Sequence, residues 1–243
     1  MIRSYPDYES LSQAAADLFV AEARSAIGER DAFFVCLSGG NTPRRTYQIL
    51  AEPKHRDRVN WQKVHVFWGD ERCVPPDDPQ SNERMAWRAL LDHVPIPSGQ
   101  VYPIRCADSP EIAARQYETL LHARFGPGET AFDLIYLGLG ENGHTASLFP
   151  DTAVLDEQKN PVAVVYIREQ DLYRVTLTAP AINMAKNIVF LVCGEGKAEV
   201  LKDVLEGPSN PLHLPAQLIK PEVGKLIWLV DDKAGRLLRD WQG

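Results

Sequence analysis

His144 has the clearest capacity for chemistry in this sequence of 243 residues. It lies in FDLIYLGLGENGHTASLFP, residues 132–150, where an apolar run over 132–139 gives way to Gly140, Asn142 and Gly143 just before the imidazole. The run is short, rich in strand formers and closed by glycines, which predicts a buried strand delivering His144 at its carboxyl end. An imidazole with an ordinary pKa of about 6.5 is largely neutral at neutral pH and can accept a proton from water. The competing explanation is structural, with His144 capping a short helix over 145–149.

Three other stretches carry groups suited to an anion. In SGGNTP, residues 38–43, Gly39 and Gly40 let backbone approach a ligand, while Ser38, Asn41 and Thr42 can donate to it. Thr42 is a good N-cap and Pro43 suits a first helical position, so unpaired N–H groups would point at one phosphate. Adjacent glycines without a following GKS or GKT exclude a P-loop, and GxGxxG is absent. A tight turn with a helix cap would read the same way. GDER, residues 69–72, offers Asp70 and the guanidinium of Arg72, which can hold phosphate oxygens in a fork or pair with a neighbouring carboxylate. GEGK, residues 194–197, places Lys197 near a helix start, where a cation is disfavoured unless an anion binds there; a solvated lysine is the alternative. No GxSxG elbow is present, and Cys73 sits beside acids that raise a thiol's pKa, so neither serine nor cysteine is expected as a nucleophile.

Elements able to position these loops are spaced along the whole chain. Apolar residues recur at helical spacing over 8–27, with Gly28 as a stop, and a strand follows over 32–37. A second strand over 64–68 leads, through a Pro- and Asp-rich loop, to a helix capped by Ser81 and reaching about Leu91. Residues 93–108 read as irregular. Ser109 and Pro110 open a helix to about Arg124, ended by Gly126, Pro127 and Gly128. After the His144 stretch come a hairpin of 162–167 with 173–178, a short helix over 180–185, a strand over 187–193 and a helix to about Leu205. A loop over 207–221, a strand over 225–230 and a helix from Asp231 complete the chain.

This alternation predicts an α/β fold: a mostly parallel twisted sheet with helices on both faces, a Rossmann-like three-layer sandwich, joined by right-handed crossovers. The hairpin adds a small antiparallel element. No linker or repeat divides the sequence, so residues 1–243 read as one domain. Parallel strands would bring all four loops to one sheet edge, where ligands of such folds bind. The oxyanion donor is left open, with backbone N–H groups after Gly138 or Gly69 as candidates.

Composition narrows the class. A formal net charge of −7, with acids and bases mixed along the chain, argues against a nucleic-acid partner. Asp17, Glu22 and Arg24 interrupt what would have to be the core of a secretory signal, and no apolar run approaches the ~20 residues needed to span a bilayer. The four cysteines form no CxxC pair, and Cys36 and Cys193 lie in apolar strand-like runs, which reads as a reduced, cytoplasmic protein. A monomer or weak homodimer is expected, although no residue pattern specifies it.

Taken together, LSGGNTPRRTY, FWGDERCVPPDDPQSN, DLIYLGLGENGHTASLFP, RVTLT and GEGKAEVL resemble, in the same order, the strings of the 6-phosphogluconolactonase family within the glucosamine-6-phosphate isomerase/6-phosphogluconolactonase superfamily. The resemblance implies hydrolysis of 6-phospho-D-glucono-1,5-lactone, a sugar-phosphate lactone, to 6-phospho-D-gluconate without metal or organic cofactor. It implies His144 as general base, Arg72 and Lys197 on the substrate phosphate, and the Ser38, Gly39, Gly40 and Thr42 loop in the same pocket. Two positions depart from the pattern: Asn142 stands where the family often has Asp, and Asn41 where serine is common. Asparagine can only hydrogen-bond to the imidazole, which removes any tuning by a charge. Two other readings compete. A glucosamine-6-phosphate deaminase or isomerase is disfavoured by GDERCVP and GHTASLFP. A non-catalytic sugar-phosphate-binding domain of a regulator would come with a DNA-binding module or a basic face, and the sequence shows neither.

Overall fold

The computed structural model describes residues 1–106, 109–126, 132–239 and 241. The chain runs β1 (Ile2–Tyr5), α1 (Tyr8–Arg30), β2 (Phe33–Leu37), α2 (Asn41–Ala51), α3 (Pro53–Arg56), β3 (Val64–Trp68), β4 (Asp70–Arg72), α4 (Asn82–Ala89), β5 (Val101–Tyr102) and α5 (Pro110–Phe125). It continues with β6 (Leu134–Gly138), β7 (Val162–Ile167), β8 (Leu172–Leu177), α6 (Ala179–Asn183), β9 (Asn187–Val192), α7 (Ala198–Glu206), β10 (Lys225–Asp231) and α8 (Asp232–Gly235). Seven strands form one sheet in the order β1-β10-β9-β6-β2-β3-β5, every pair parallel. The other three, β4-β8-β7, form a separate antiparallel sheet.

Residues 134–137 of β6 are all buried, and successive side chains of a strand face opposite ways, so both faces of the sheet are covered. On one face Phe19 of α1 meets Phe33 edge-on at 5.2 Å; on the other Phe125 of α5 packs on Phe34 and Phe67. Phe33 and Phe34 are neighbours in β2, so α1 and α5 lie on opposite sides, as the alternating sequence predicts. Two buried tyrosines finish the ladder where strands end. The Tyr47 hydroxyl accepts from Ser38 N–H and donates to Ser38 C=O, and Tyr117 does the same for Trp68. Backbone that leaves the sheet toward the loops is therefore satisfied and fixed.

Several sequence expectations shift. Gly28 does not stop α1, which runs to Arg30 and ends on Asp31 in the left-handed conformation, its N–H bonded to Ile27 C=O. α2 starts two residues before the expected position, capped by Gly40 at φ 101° rather than by Thr42. β1 has no counterpart in the sequence reading, because a four-residue, mostly exposed edge strand carries little apolar pattern. β5 lies within the stretch read as irregular, whereas Pro127 and Gly128, the expected helix stops, lie outside the described residues.

The largest change concerns the cysteines. Cys73 and Cys106 are joined in a disulfide with Cα atoms 5.1 Å apart, so the reading of four reduced thiols does not hold. They are 33 residues apart and meet because β3, which leads into β4, pairs with β5. Cys36 is buried in the core as expected, while Cys193 is half-buried. Among the described residues, no helix is long and apolar enough to cross a membrane.

Candidate active site

β2, β6 and β9 all end on the same edge of the parallel sheet, and the loops beyond them face β4 and β8 of the smaller sheet across a cleft of about 780 Å³. Ser38, Gly39, Gly40, Asn41, Thr42, Asp70, Arg72, Asn142, His144 and Lys197 all line it. Residues separated by up to 159 positions thus share one hollow, as parallel strand ends predict. Gly143 is the exception among the candidates: it is not on the cleft wall and instead packs against Leu214, its carbonyl accepting from Ala216 N–H at 2.8 Å.

No helix follows His144, so it is not a helix cap. The 145–148 segment closes as a tight bridge, with Leu148 N–H donating to Thr145 C=O and the Thr145 hydroxyl to Gly138 C=O, both at 2.9 Å. The imidazole lies on Gly140, where a Cβ would come within 2.1 Å of the ring, so this position accepts no side chain. Its other face stacks on Phe149 at 4.0 Å. Asn142 Oδ1 receives the backbone N–H of His144 at 3.3 Å and contacts its Nδ1 at 2.5 Å. An oxygen already accepting one N–H takes a second from Nδ1–H, which fixes that tautomer and leaves the lone pair on Nε2. Burial, followed by the charges of Arg174, Lys197 and Arg72, pushes His144 down to about 4. The imidazole is neutral at neutral pH, and the causes are desolvation and cations.

The facing side is cationic. Arg72 is on a strand, β4, and pairs across the ladder with Arg174 of β8. Like charges placed directly opposite repel. Among the described residues no carboxylate takes up Arg72: its Nη1 donates to Gln80 C=O at 2.8 Å, and its Nε is buried without a partner. Arg174 is buried; its Nη1 is 3.7 Å from Asp70 Oδ2, its Nη2 donates to Gln170, and its Nε too is unpartnered. Its guanidinium carbon lies 5.1 Å above the Phe149 ring, giving a pile of Arg174, Phe149 and His144. A third cation, Lys197, comes from the parallel-sheet side beyond β9; it approaches Glu141 at 3.9 Å and precedes α7. Asp70 lines the cleft but is already engaged, accepting from the Ser147 hydroxyl at 2.6 Å.

The SGG loop reaches the cleft with little room to spare. A Cβ on Gly39 would stand 1.9 Å from Asn82 Oδ1, so a side chain there would push the Asn82 amide aside. The N–H groups at the start of α2 open toward the same space. Of the oxyanion candidates after Gly138, Gly140 N–H is already bonded to His144 C=O.

Arg174, Phe149 and Asn82 were not singled out from the sequence. A signal for Arg174 existed: in RVTLT, Arg174, Thr176 and Thr178 recur every second residue between apolar Val175 and Leu177, marking one polar face of a buried strand.

Residues 6–228 match the family described as glucosamine-6-phosphate isomerases/6-phosphogluconolactonase. The chain belongs to this family. It is 46% identical to the 6-phosphogluconolactonase of a Synechocystis species, over 88% of both chains, and 39% identical to that of a Nostoc species, over 95% of both. Among solved structures, the 6-phosphogluconolactonase from Thermotoga maritima superposes with a TM-score of 0.82 at 30% identity, covering 95% of this chain and 99% of that one. A monomeric glucosamine-6-phosphate deaminase also shares the fold, at 24% identity and a TM-score of 0.83. The family therefore spans two chemistries on one scaffold, and the two curated relatives named above carry the lactonase name.

Proposed function

We propose that this chain is a 6-phosphogluconolactonase, hydrolysing 6-phospho-D-glucono-1,5-lactone to 6-phospho-D-gluconate in the oxidative pentose phosphate pathway. The observation that carries the reading is a neutral imidazole with its Nε2 free, set in the same cleft as three cationic side chains. Arg72, Arg174 and Lys197 hold the phosphate, aided by N–H groups of the 38–42 loop, and the lactone carbonyl extends toward His144. His144 Nε2 takes a proton from water as the water oxygen bonds to C1. The tetrahedral intermediate then breaks its bond from C1 to the ring oxygen, and the imidazolium returns the proton to that oxygen. The new carboxylic acid ionises, leaving an open-chain product with the base restored.

Local geometry supports each role. Asn142 keeps the proton on Nδ1, the Phe149 stack holds the ring plane, and the paired arginines offer donors to a dianion that relieves their repulsion. A small charged lactone does not cross membranes, so we place the enzyme in the cytoplasm, where sugar phosphates are made, as a single domain over its length.

Mixing the purified protein with fresh 6-phosphoglucono-1,5-lactone should accelerate acid release well above spontaneous hydrolysis. Glucosamine 6-phosphate should yield no ammonia. The reverse pair of results would assign the chain to the deaminase branch.

A further inference from the structure

Glu71 takes no part in the chemistry above, yet its carboxylate is the hub of the loop that carries the clamp. The residue is 4% exposed. Oε1 accepts the N–H groups of Arg72 and Asn82, both at 2.8 Å; Oε2 accepts Glu83 N–H at 2.6 Å and the Ser81 hydroxyl at 3.2 Å. One donor precedes the 73–80 excursion and three follow it, so a single carboxylate closes that excursion at its base. Burial pushes Glu71 up to about 7, against the pull of the N–H groups of Asn82, Glu83 and Arg72. A buried carboxylate is costly unless its acceptors are used, and here both oxygens are.

Two lines run from this hub to the cleft. Arg72 is held through its own N–H, and its guanidinium lies back on Gln80 C=O. Asn82 is held through its N–H, while its side chain donates to Asp70 C=O at 3.0 Å and presses on Gly39. The first turn of α4 therefore sets the spacing between the arginine strand and the glycine loop, which belong to different sheets.

We propose that Glu71 is a positioning residue for phosphate selectivity: by tying Arg72 to Asn82 it aligns the guanidinium with the Gly39 loop and sets how strongly the cleft prefers a phosphorylated lactone. This rests on the clamp reading of the preceding section. Replacing one carboxyl oxygen by an amide NH₂ of the same shape sets that NH₂ against backbone donors, so part of the hub must open.

The test compares Glu71→Gln with Arg72→Ala on 6-phosphoglucono-1,5-lactone and on unphosphorylated glucono-1,5-lactone, with inorganic phosphate as a competitive inhibitor. Glu71→Gln should raise KM for the phosphorylated substrate about tenfold and weaken phosphate inhibition in parallel, with kcat little changed and the unphosphorylated lactone turned over as before. A parallel loss of kcat on both lactones would mark a merely structural role and overturn the proposal. An unchanged preference in Glu71→Gln beside a narrowed one in Arg72→Ala would also overturn it while leaving the clamp standing. An unchanged preference in both would remove the clamp and the proposal together. Should Glu71→Gln fail to fold by circular dichroism, Asn82→Ala decides. It cuts the link to Gly39 but keeps every bond to Glu71, so it should narrow the preference by a smaller factor, and no narrowing would sink the proposal.

Discussion

The two sides of the cleft are built by different sheets and carry opposite electrostatic designs. On the side of the parallel sheet, β6 ends in a loop whose backbone bonds to itself, and the one ionisable ring there is packed between Gly140 and Phe149 and held neutral. On the side of the antiparallel sheet, β4 and β8 set two arginines against each other with a buried Nε on each left unpaired. The His144 loop is already satisfied; the arginine pair keeps donors that, under the proposed function, an anion would take up. We read the first side as the seat of the base and the arginine pair of the second as the main clamp, with Lys197 and the 38–42 loop adding to the clamp from the first; the two sides are coupled, because Arg174 and Arg72 help keep the imidazole unprotonated.

Removing the imidazole should break the comparison most visibly. His144→Ala is expected to lose about 10² to 10⁴ in kcat, the usual worth of a positioned general base, while binding 6-phosphogluconate nearly as tightly as before. Single-turnover kinetics with product-binding calorimetry would check this. A variant that turns over normally would place the base elsewhere. On the opposite side, Arg72→Ala should act on binding, raising KM for the phosphorylated lactone about 10- to 100-fold with a modest change in kcat. Lys197→Ala, beyond β9 on the parallel-sheet side, should do the same to a lesser degree, since its side chain is a quarter exposed and shares Glu141. Steady-state kinetics on both lactones separates these effects. If either cation variant lost kcat alone, the division between binding and chemistry would not stand.

The same contrast explains what the sequence revealed. The parallel strands were legible because β2, β3, β6 and β9 are apolar runs of five or six residues ending at glycines, and the loops after them carry the chemistry-bearing side chains in plain view. His144, Arg72, Lys197 and the 38–42 loop were therefore found together. The arginine side was half-legible. The 162–178 hairpin could be read, but its pairing with Asp70–Arg72 is a long-range contact that no local pattern reports, so Arg72 looked like a loop residue and Arg174 like an ordinary strand charge. The Cys73–Cys106 disulfide was missed for the same reason: its partners are local only in the folded chain. Glu71 reads from the sequence only as a possible partner for Arg72, because two of the three N–H groups it gathers, those of Asn82 and Glu83, reach it only once α4 is placed.

The smallest expected effect isolates the coupling between the two sides. In this chain the imidazole faces Asn142, which fixes a tautomer without adding charge, so nothing beside Nδ1 opposes the pull of the cations. Asn142→Asp would put a carboxylate at the same contact and favour the imidazolium, raising a pKa that now lies at about 4. The acid limb of kcat/KM, which reports the free enzyme, should then move up by about 1 to 2 pH units, with little change in rate at pH 8. Stability should follow the same sign. A histidine whose folded pKa is below its unfolded value of about 6.5 contributes stability that is full above that pH and is lost as pH falls through the folded value. The aspartate variant narrows that gap and should lose less stability between pH 6.5 and pH 4 than the parent chain. Titration of the His144 ring by NMR, run beside the pH–rate profile, measures both. An acid limb that stays in place would mean that the phosphate-side cations and burial fix the ring alone, and that Asn142 serves only to orient it.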